Sequence, residues 1–214
     1  MALKFGDSTG GSTGQKVDSY KFVDGEQKVR LFGDLLARYL FWVDNPKGQP
    51  NQLPVEALQF DRETESWDNS RKDPVKEQFP DLKPKWSYSC LCLTEGGEVK
   101  VFNFKRTLFN QIKDAMESLG DPTDLDNGWW VVFKKNKTGP SPLNVEYSLQ
   151  ELKSSKEQGP VSDEMKKKAE EHAPISEVYP RPTEDQVRQN LQNILSSGND
   201  EEVDEDATGE FEVE

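Results

Sequence analysis

The pattern of apolar and polar positions predicts a body that is mainly β. Large and small side chains alternate over 86–89 at the start of the segment 86–93, a Gly-Gly turn follows at 94–98, and an apolar return runs over 99–104. This pattern is typical of a hairpin. Further strands are predicted over 19–23, 27–32, 128–135 and 143–149, and an apolar segment runs over 35–43. The first two of these strands flank the turn signal Asp24-Gly25, so we expect them to form a second hairpin.

One helix is predicted inside this β body. Its apolar side chains recur at spacings of three and four, at Phe109, Ile112, Met116 and Leu119. Such spacing places them on one helical face. We expect Thr107 to cap this helix and Gly120 to end it. The body therefore combines several strands with one buried helix and ends near residue 152.

The chain beyond residue 152 has a different pattern. A charged helix is predicted from Ser162 to about Glu171, and prolines interrupt the segment that follows. A capping box formed by Thr183 and Gln186 then opens a second helix. Its apolar stripe consists of Val187, Leu191, Ile194 and Leu195. Together these features predict a linker with two helices.

Three other stretches contain few apolar residues that could form a core. Residues 1–15 are rich in Gly, Ser and Thr and predict a flexible leader, while 199–214 predict a disordered tail. Residues 44–84 are polar and broken by prolines, so we expect a long connecting excursion with one short helix. The predicted organisation is a leader over 1–15, a body over 16–152, a linker over 153–198 and an acidic tail over 199–214.

Most of the net negative charge lies at the C-terminal end. The chain has 27 Lys and Arg against 40 Asp and Glu, a net charge of −13, and nine of the acids but no base lie in 199–214. The body is close to neutral, so the overall acidity does not exclude a polyanionic partner. No apolar run approaches the roughly 20 residues of a membrane-spanning helix. The start of the chain also lacks the apolar stretch of a secretory signal, so we expect an intracellular protein with no membrane partner.

The sequence contains too few cysteine and histidine residues for most metal sites and nucleophilic catalytic sites. Cys90 and Cys92 are separated by one residue, so a disulfide between them would be strained. The only histidine, His172, is interpreted as an exposed residue at a helix end. A zinc site or a histidine-activated nucleophile needs partners that the sequence does not supply. We therefore expect no metal, no cofactor and no enzymatic activity.

Basic and aromatic side chains interleave around the central hairpin. Trp86 and Tyr88 share one face of their strand, and Phe102 and Phe104 share one face of the next. Another basic cluster follows Trp130. The bases of these clusters are Lys83, Lys85, Lys100, Lys105, Arg106, Lys113, Lys134, Lys135 and Lys137.

A surface of this kind suits an unpaired nucleic-acid strand. Bases stack on exposed rings for about 1–3 kcal/mol each, while phosphates meet the cations. The alternative is that the rings belong to the core and the lysines to an ordinary solvated face. Alternation does not decide between the two, because both faces of 129–133 are apolar.

The acidic tail is the second candidate for an interaction. Two apolar side chains stand among its acids, which favours a docking peptide for another protein or an intramolecular competitor for a basic groove. The alternative is a tail that only adds solubility. The residues of this segment are Asp204, Glu205, Asp206, Glu210, Phe211, Glu212 and Val213.

Three stretches resemble the single-stranded-DNA-binding proteins of large tailed bacteriophages. The first is 20–31, with Lys21 and Arg30. The second joins the basic and aromatic strand at 83–88 to the return strand and helix at 97–112, and the third runs from 130 to 148. The resemblance covers roughly residues 16–152 together with the acidic tail, and it depends on the order of the motifs.

The resemblance implies an OB-type five-stranded barrel with an inserted helix, followed by C-terminal helices and the disordered acidic tail. It implies a protein that coats and protects single-stranded DNA in phage replication, recombination and repair, in the cytoplasm of the infected bacterial host. The tail would recruit replication or recombination proteins, and the protein would self-associate on DNA. From the charge of the tail itself, we also expect it to compete with DNA. With the clusters above, the residues placed on the DNA are Lys21, Arg30, Lys83, Lys85, Trp86, Tyr88, Lys100, Phe102, Phe104, Lys105, Arg106, Trp130, Lys134, Lys135 and Lys137.

Two features depart from the family. The zinc-binding His and Cys cluster of its best-known members is absent, which agrees with the expectation of no metal. The strongly basic leader is absent too, since only Lys4 and Lys16 precede residue 20, so strong cooperativity is not expected. The rival hypothesis is an acidic adaptor or DNA mimic that binds a nucleic-acid enzyme without binding DNA.

Overall fold

The computed structural model describes residues 17–46, 48, 51–139, 145–153 and 157–196. The predicted leader at 1–15 and the predicted tail at 199–214 lie outside these residues. In the described part of the chain, no helix is long and apolar enough to cross a membrane.

The longest element is a single bent strand, β1, Gly25–Asp44. Its register against the neighbouring strand shifts between Phe32 and Leu36, where Gly33 has a φ of +70°. Glycine adopts that left-handed conformation without steric cost, so the strand bends and continues past the exposed positions 33–35. The two apolar segments that the sequence placed at 27–32 and 35–43 are therefore one strand.

The predicted hairpin of 19–23 with 27–32 is wrong. Ser19 instead bridges Val101 in the parallel direction, and the Tyr20 N–H donates to the Val101 carbonyl at 2.8 Å. Tyr20 and Phe22 pack against the Phe102 ring, with centroids 5.7 and 5.3 Å apart. Burial of these two rings outweighs the local turn signal at Asp24-Gly25.

Five strands form the order typical of an OB-type barrel. The strands after β1 in this set are β5 (Lys85–Leu93), β6 (Val99–Phe104), β7 (Val131–Lys137) and β8 (Val145–Leu149). All pairs are antiparallel, and the order along the sheet is β6-β5-β1-β7-β8. No ladder joins β6 to β8 among the described residues, which leaves the sheet open on that side, as in an OB fold. The predicted mainly β, OB-type fold class is thereby confirmed.

The inserted helix, α2, occupies Arg106–Leu119, between β6 and β7. It begins one residue before the predicted cap, with Lys105 at the N-cap position, and it ends at Gly120 as expected. Leu108 and Ile112 are its buried residues, whereas Met116 is 39% exposed. The buried face of the helix therefore contains Leu108 and Ile112 but not Met116. It is rotated toward Leu108 relative to the face predicted from the sequence.

The excursion at 44–84 contains more structure than the predicted short helix. That helix is present as α1, Pro74–Gln78, capped by Asp73. Two further features were missed: strand β2, Gln52–Glu56, pairs with the end of β1, and β3 (Phe60–Asp61) pairs with β4 (Ser66–Trp67). Strand β2 was not predicted because it contains Pro54, and proline is uncommon within strands. Proline has no backbone N–H, so a strand tolerates it only where no carbonyl of the neighbouring strand needs that hydrogen bond.

The helices beyond the barrel pack against it. They are α3 (Asp163–Glu170), α4 (Ile175–Val178) and α5 (Glu184–Leu195), and α5 opens with the predicted capping box. Its buried residues Val187, Leu191 and Ile194 join a cluster with Phe41 and Val55 of the sheet. The segment predicted as a linker with two helices thus has three helices within its described residues, and it forms part of the hydrophobic core.

Candidate nucleic-acid interface

A groove lies on the open side of the barrel. It is bounded by the start of β5, the N-terminus of α2 and the edge strand β8, and its volume is about 700 Å³. The residues that line it are Tyr39, Trp42, Lys85, Trp86, Ser87, Lys105, Arg106, Thr107, Leu108, Gln111, Val145, Glu146, Tyr147 and Ser148. OB folds bind oligonucleotides on one strand face and on the loops next to it.

The cationic part of the groove comes from β5 and the N-terminus of α2. Lys85, Lys105 and Arg106 line it together with a single carboxylate, Glu146, so the described wall carries net positive charge. Helix α2 has no side-chain cap and no acidic residue in its first turn. Its backbone N–H groups and helix dipole therefore add a partial positive charge beside Lys105 and Arg106. This part of the groove suits a phosphate.

The aromatic part of the groove comes from β1, β5 and β8. The Tyr39 and Trp86 rings meet edge to face, with centroids 4.6 Å apart, and both rings are half-buried. Trp42 and Tyr147 also line the groove. Next to this wall, Trp67 of β4 is 40% exposed, and its ring centroid lies 4.7 Å from that of Tyr39. Aromatic side chains thus continue from the groove onto the neighbouring surface.

Four of the predicted binding residues come together in the groove, namely Lys85, Trp86, Lys105 and Arg106. Lys134 and Lys137 are exposed on β7 and pair with the groove-lining residues Ser148 and Val145 of β8. Lys135 is the register partner of Tyr147, and its ammonium lies 3.8 Å from the Asp24 carboxylate. Lys83 is exposed two residues before the groove begins at Lys85.

Three predicted stacking rings belong to the core, and their assignment to the DNA surface is corrected. Tyr88, Phe102 and Phe104 are 3%, 0% and 3% exposed, so they present no free face to a base. Tyr88 stacks on Phe109 of α2 with centroids 3.9 Å apart, and burial raises its pKa to about 12. The two-residue period correctly placed Phe102 and Phe104 on one face, but that face points into the barrel.

Arg30 is also a structural residue. It is fully buried, and its Nη2 donates to the carbonyls of Asp124 at 2.5 Å and Gly159 at 3.0 Å. It therefore ties β1 to the loop after α2 and to the segment before α3. This role leaves Arg30 no surface for a phosphate.

Three other predicted residues lie away from the groove. Lys21 and Lys100 line a separate shallow cavity, and the Lys100 ammonium is 3.1 Å from the Asp18 carboxylate. Trp130 lies under the Lys28 ammonium, which is 5.9 Å from its ring centre. The structure therefore does not bring Lys21, Lys100 or Trp130 to the same surface as Lys105 and Arg106.

The sequence reasoning missed several groove residues. Tyr39 and Trp42 lie in the apolar segment 35–43, whose pattern predicts no binding role, and Tyr147 lies in the alternation of β8. Their aromatic character was visible, but their place beside Trp86 depends on pairing between β1 and β5 and on the open barrel edge. Gln111 carried no signal, and its Oε1 accepts from the Leu149 N–H at 2.6 Å, which fixes β8 against α2.

The two cysteines are not reactive groups of this surface. Cys90 and Cys92 are buried in the barrel, where burial raises the pKa of Cys90 to about 12 and that of Cys92 well above its usual value. Both thiols therefore remain protonated near neutral pH. In the described ranges, no three His, Cys, Asp or Glu side chains gather as a metal site.

Comparison with known proteins identifies the class of protein that this chain resembles. No family model matches the sequence. The probable ssDNA-binding protein of Escherichia phage T5 is 28% identical to it, over 97% of this chain and 91% of that protein's length. The resemblance to phage single-stranded-DNA-binding proteins, predicted from the order of the motifs, is thereby confirmed.

Proposed function

We propose that this protein binds single-stranded DNA without enzymatic activity and protects it during phage replication, recombination and repair in the cytoplasm of the infected host. The observation that carries the proposal is the groove on the open barrel edge, which places Lys85, Lys105 and Arg106 close to the rings of Tyr39 and Trp86. The similarity to the phage T5 protein supports the same function. The barrel within 16–152 is the proposed DNA-binding domain.

The two kinds of side chain favour an unpaired strand over a duplex. Rings such as Trp86 can stack only on bases that are not already stacked and paired, while the cations contact the backbone of any sequence. This combination predicts binding with little sequence preference. If Lys85, Lys105 and Arg106 each meet one phosphate, the logarithm of the binding constant should fall with the logarithm of salt concentration with a slope of about −2.

Titration of the full chain with oligo-dT tests the proposal. Three of the five tryptophans, Trp42, Trp67 and Trp86, line or adjoin the groove, so binding should quench the intrinsic fluorescence. We expect saturable quenching by oligo-dT at low salt and much weaker quenching by a duplex of the same length. Absence of a response to both would contradict the proposal and support the adaptor or DNA-mimic alternative.

We propose further that the acidic tail competes with DNA for the groove and recruits replication proteins. Residues 199–214 carry nine acids and no base, and they begin three positions after the last described residue, Ser196. A tethered anionic segment acts at a high effective concentration on a cationic groove, and salt screens that attraction. Among its residues, Phe211 and Val213 are the proposed contacts for a protein partner.

Deletion of residues 199–214 should therefore tighten oligo-dT binding at low salt, and the gain should shrink as salt rises. A matched control keeps the length of the tail but replaces its Asp and Glu by Asn and Gln. Both variants should bind with similar, increased affinity in the fluorescence titration, because both lose the negative charge and only the deletion also loses the bulk of the tail. Unchanged affinity of both variants at low salt would refute the competition.

A further inference from the structure

A second cationic cavity lies next to the groove, around Arg38 of β1. Arg38 is only 9% exposed, and its guanidinium carbon lies 4.1 Å from the centre of the Tyr179 ring. Its Nη2 donates to Ser89 Oγ at 2.7 Å and Asn103 Oδ1 at 3.4 Å, whereas its Nε has no hydrogen-bond partner in the described chain. The two groups that accept from Arg38 Nη2 are neutral, and burying a charge is costly unless an anion accompanies it.

The nearby carboxylate is already engaged by another arginine. Glu56 accepts two bonds from Arg62, one from Nε at 2.7 Å and one from Nη2. Arg62 also donates to the Tyr179 carbonyl at 2.7 Å. Glu56 therefore compensates Arg62, and Arg38 provides the remaining positive charge of the cavity. In agreement, burial lowers the pKa of Arg38 despite its attraction to Glu56.

The cavity has the size and position to hold a group from a bound strand. Its volume is about 260 Å³, several times the roughly 30 Å³ that a water molecule occupies in the liquid. Arg38, Arg62 and Asn103 provide polar atoms, while Pro54 and Pro180 provide apolar walls suited to a sugar. Trp42 lines both this cavity and the groove, so the two spaces adjoin at its side chain.

We propose that this cavity binds a backbone phosphate of the same single strand, where the strand leaves the groove past Trp42. One phosphodiester carries the single negative charge that the cavity lacks, and a guanidinium binds it through directed hydrogen bonds. The continuity at Trp42 favours a nucleotide over a carboxylate from a peptide. This inference rests on the proposed function, and it extends the DNA path beyond Lys85, Lys105 and Arg106.

The test compares Arg38→Gln with Arg38→Lys in the full chain, using oligo-dT of increasing length. For long oligonucleotides, Arg38→Gln should weaken binding about tenfold at low salt and reduce the magnitude of the salt slope by about 0.7. Arg38→Lys keeps the charge but loses the planar donor set, so it should retain most of the salt slope with reduced affinity. Oligonucleotides too short to reach past the groove should bind all three proteins equally.

A second measurement, on the wild-type protein, distinguishes loss of the phosphate contact from a change in folding of the variants. In ¹⁵N-arginine-labelled wild-type protein, oligo-dT should shift the Arg38 Nε resonance, which is identified by its absence in Arg38→Gln. If the wild type binds no oligo-dT, the proposed function itself fails. If the wild type binds but neither the resonance nor the salt slope responds to Arg38, only the present inference fails. If a peptide of residues 199–214 shifts the resonance and oligo-dT does not, the cavity binds carboxylates and the inference is overturned.

Discussion

Replacing Lys105 and Arg106 together by alanine should weaken oligo-dT binding more than any other pair of surface changes in the barrel. Both side chains line the groove at the uncapped start of α2, where the helix dipole adds to their charge. Loss of two phosphate contacts should reduce the magnitude of the salt slope by about 1.4 and lower affinity at low salt by roughly 100-fold. The measurement is fluorescence titration at several salt concentrations.

The matched control is Lys167→Ala with Lys168→Ala on α3. It removes the same charge from a helix that does not line the groove. Its salt slope should remain close to that of the wild type. Equal loss of affinity in both double variants would mean that net charge, and not the groove, determines binding, and the proposed interface would then be wrong. Thermal unfolding of both variants checks that the barrel is intact.

Replacing Phe102 by alanine should instead destabilise the protein. The ring is 0% exposed and packs against Phe22, Phe104 and Phe133, with centroids 5.3, 5.1 and 5.3 Å away. Truncation leaves a cavity in the barrel that its neighbours fill only in part. We expect the free energy of unfolding to fall by about 3–5 kcal/mol, measured by urea denaturation.

Two comparisons make this prediction specific. Phe102→Leu keeps most of the volume and should cost less than about 1.5 kcal/mol. Val23→Ala, at a position that is 58% exposed, should be close to neutral. The folded fraction of Phe102→Ala should still bind oligo-dT with wild-type affinity. A variant that is fully stable but loses DNA binding would restore Phe102 to the stacking surface suggested by the sequence.

Local signals in the sequence predicted the elements well. The hairpin of β5 and β6, the helix α2 and the capping box of α5 each depend on residues close in the chain, such as the Gly-Gly turn at 96–97 or Thr183 with Gln186. Such features are set by turn geometry, helical spacing and capping, which act over a few residues. The predicted hairpin of 19–23 with 27–32 is wrong because Ser19 pairs with Val101, which is distant in the sequence, and not with the strand across the local turn.

The candidate site was predicted only in part. Lys85, Trp86, Lys105 and Arg106 were proposed from the sequence and come together in the groove. Tyr88, Phe102 and Phe104 were proposed by the same reasoning and are buried. The two-residue period of a strand assigns residues to two faces but does not show which face is buried. Burial depends on contacts with segments that are distant in the sequence, such as 20–22 and α2.

By itself, the sequence determined most strands of the barrel and its inserted helix, the separation of a near-neutral body from an acidic tail, and the resemblance to phage single-stranded-DNA-binding proteins. These properties depend on neighbouring residues and on composition. Only the tertiary structure decided that β1 is one bent strand, that the C-terminal helices join the core, and that the groove opens between α2 and β8. It also placed the Arg38 guanidinium against the ring of Tyr179, which lies 141 positions later in the sequence. The physical reason is that burial and charge compensation at each of these sites depend on long-range contacts, which local patterns do not specify.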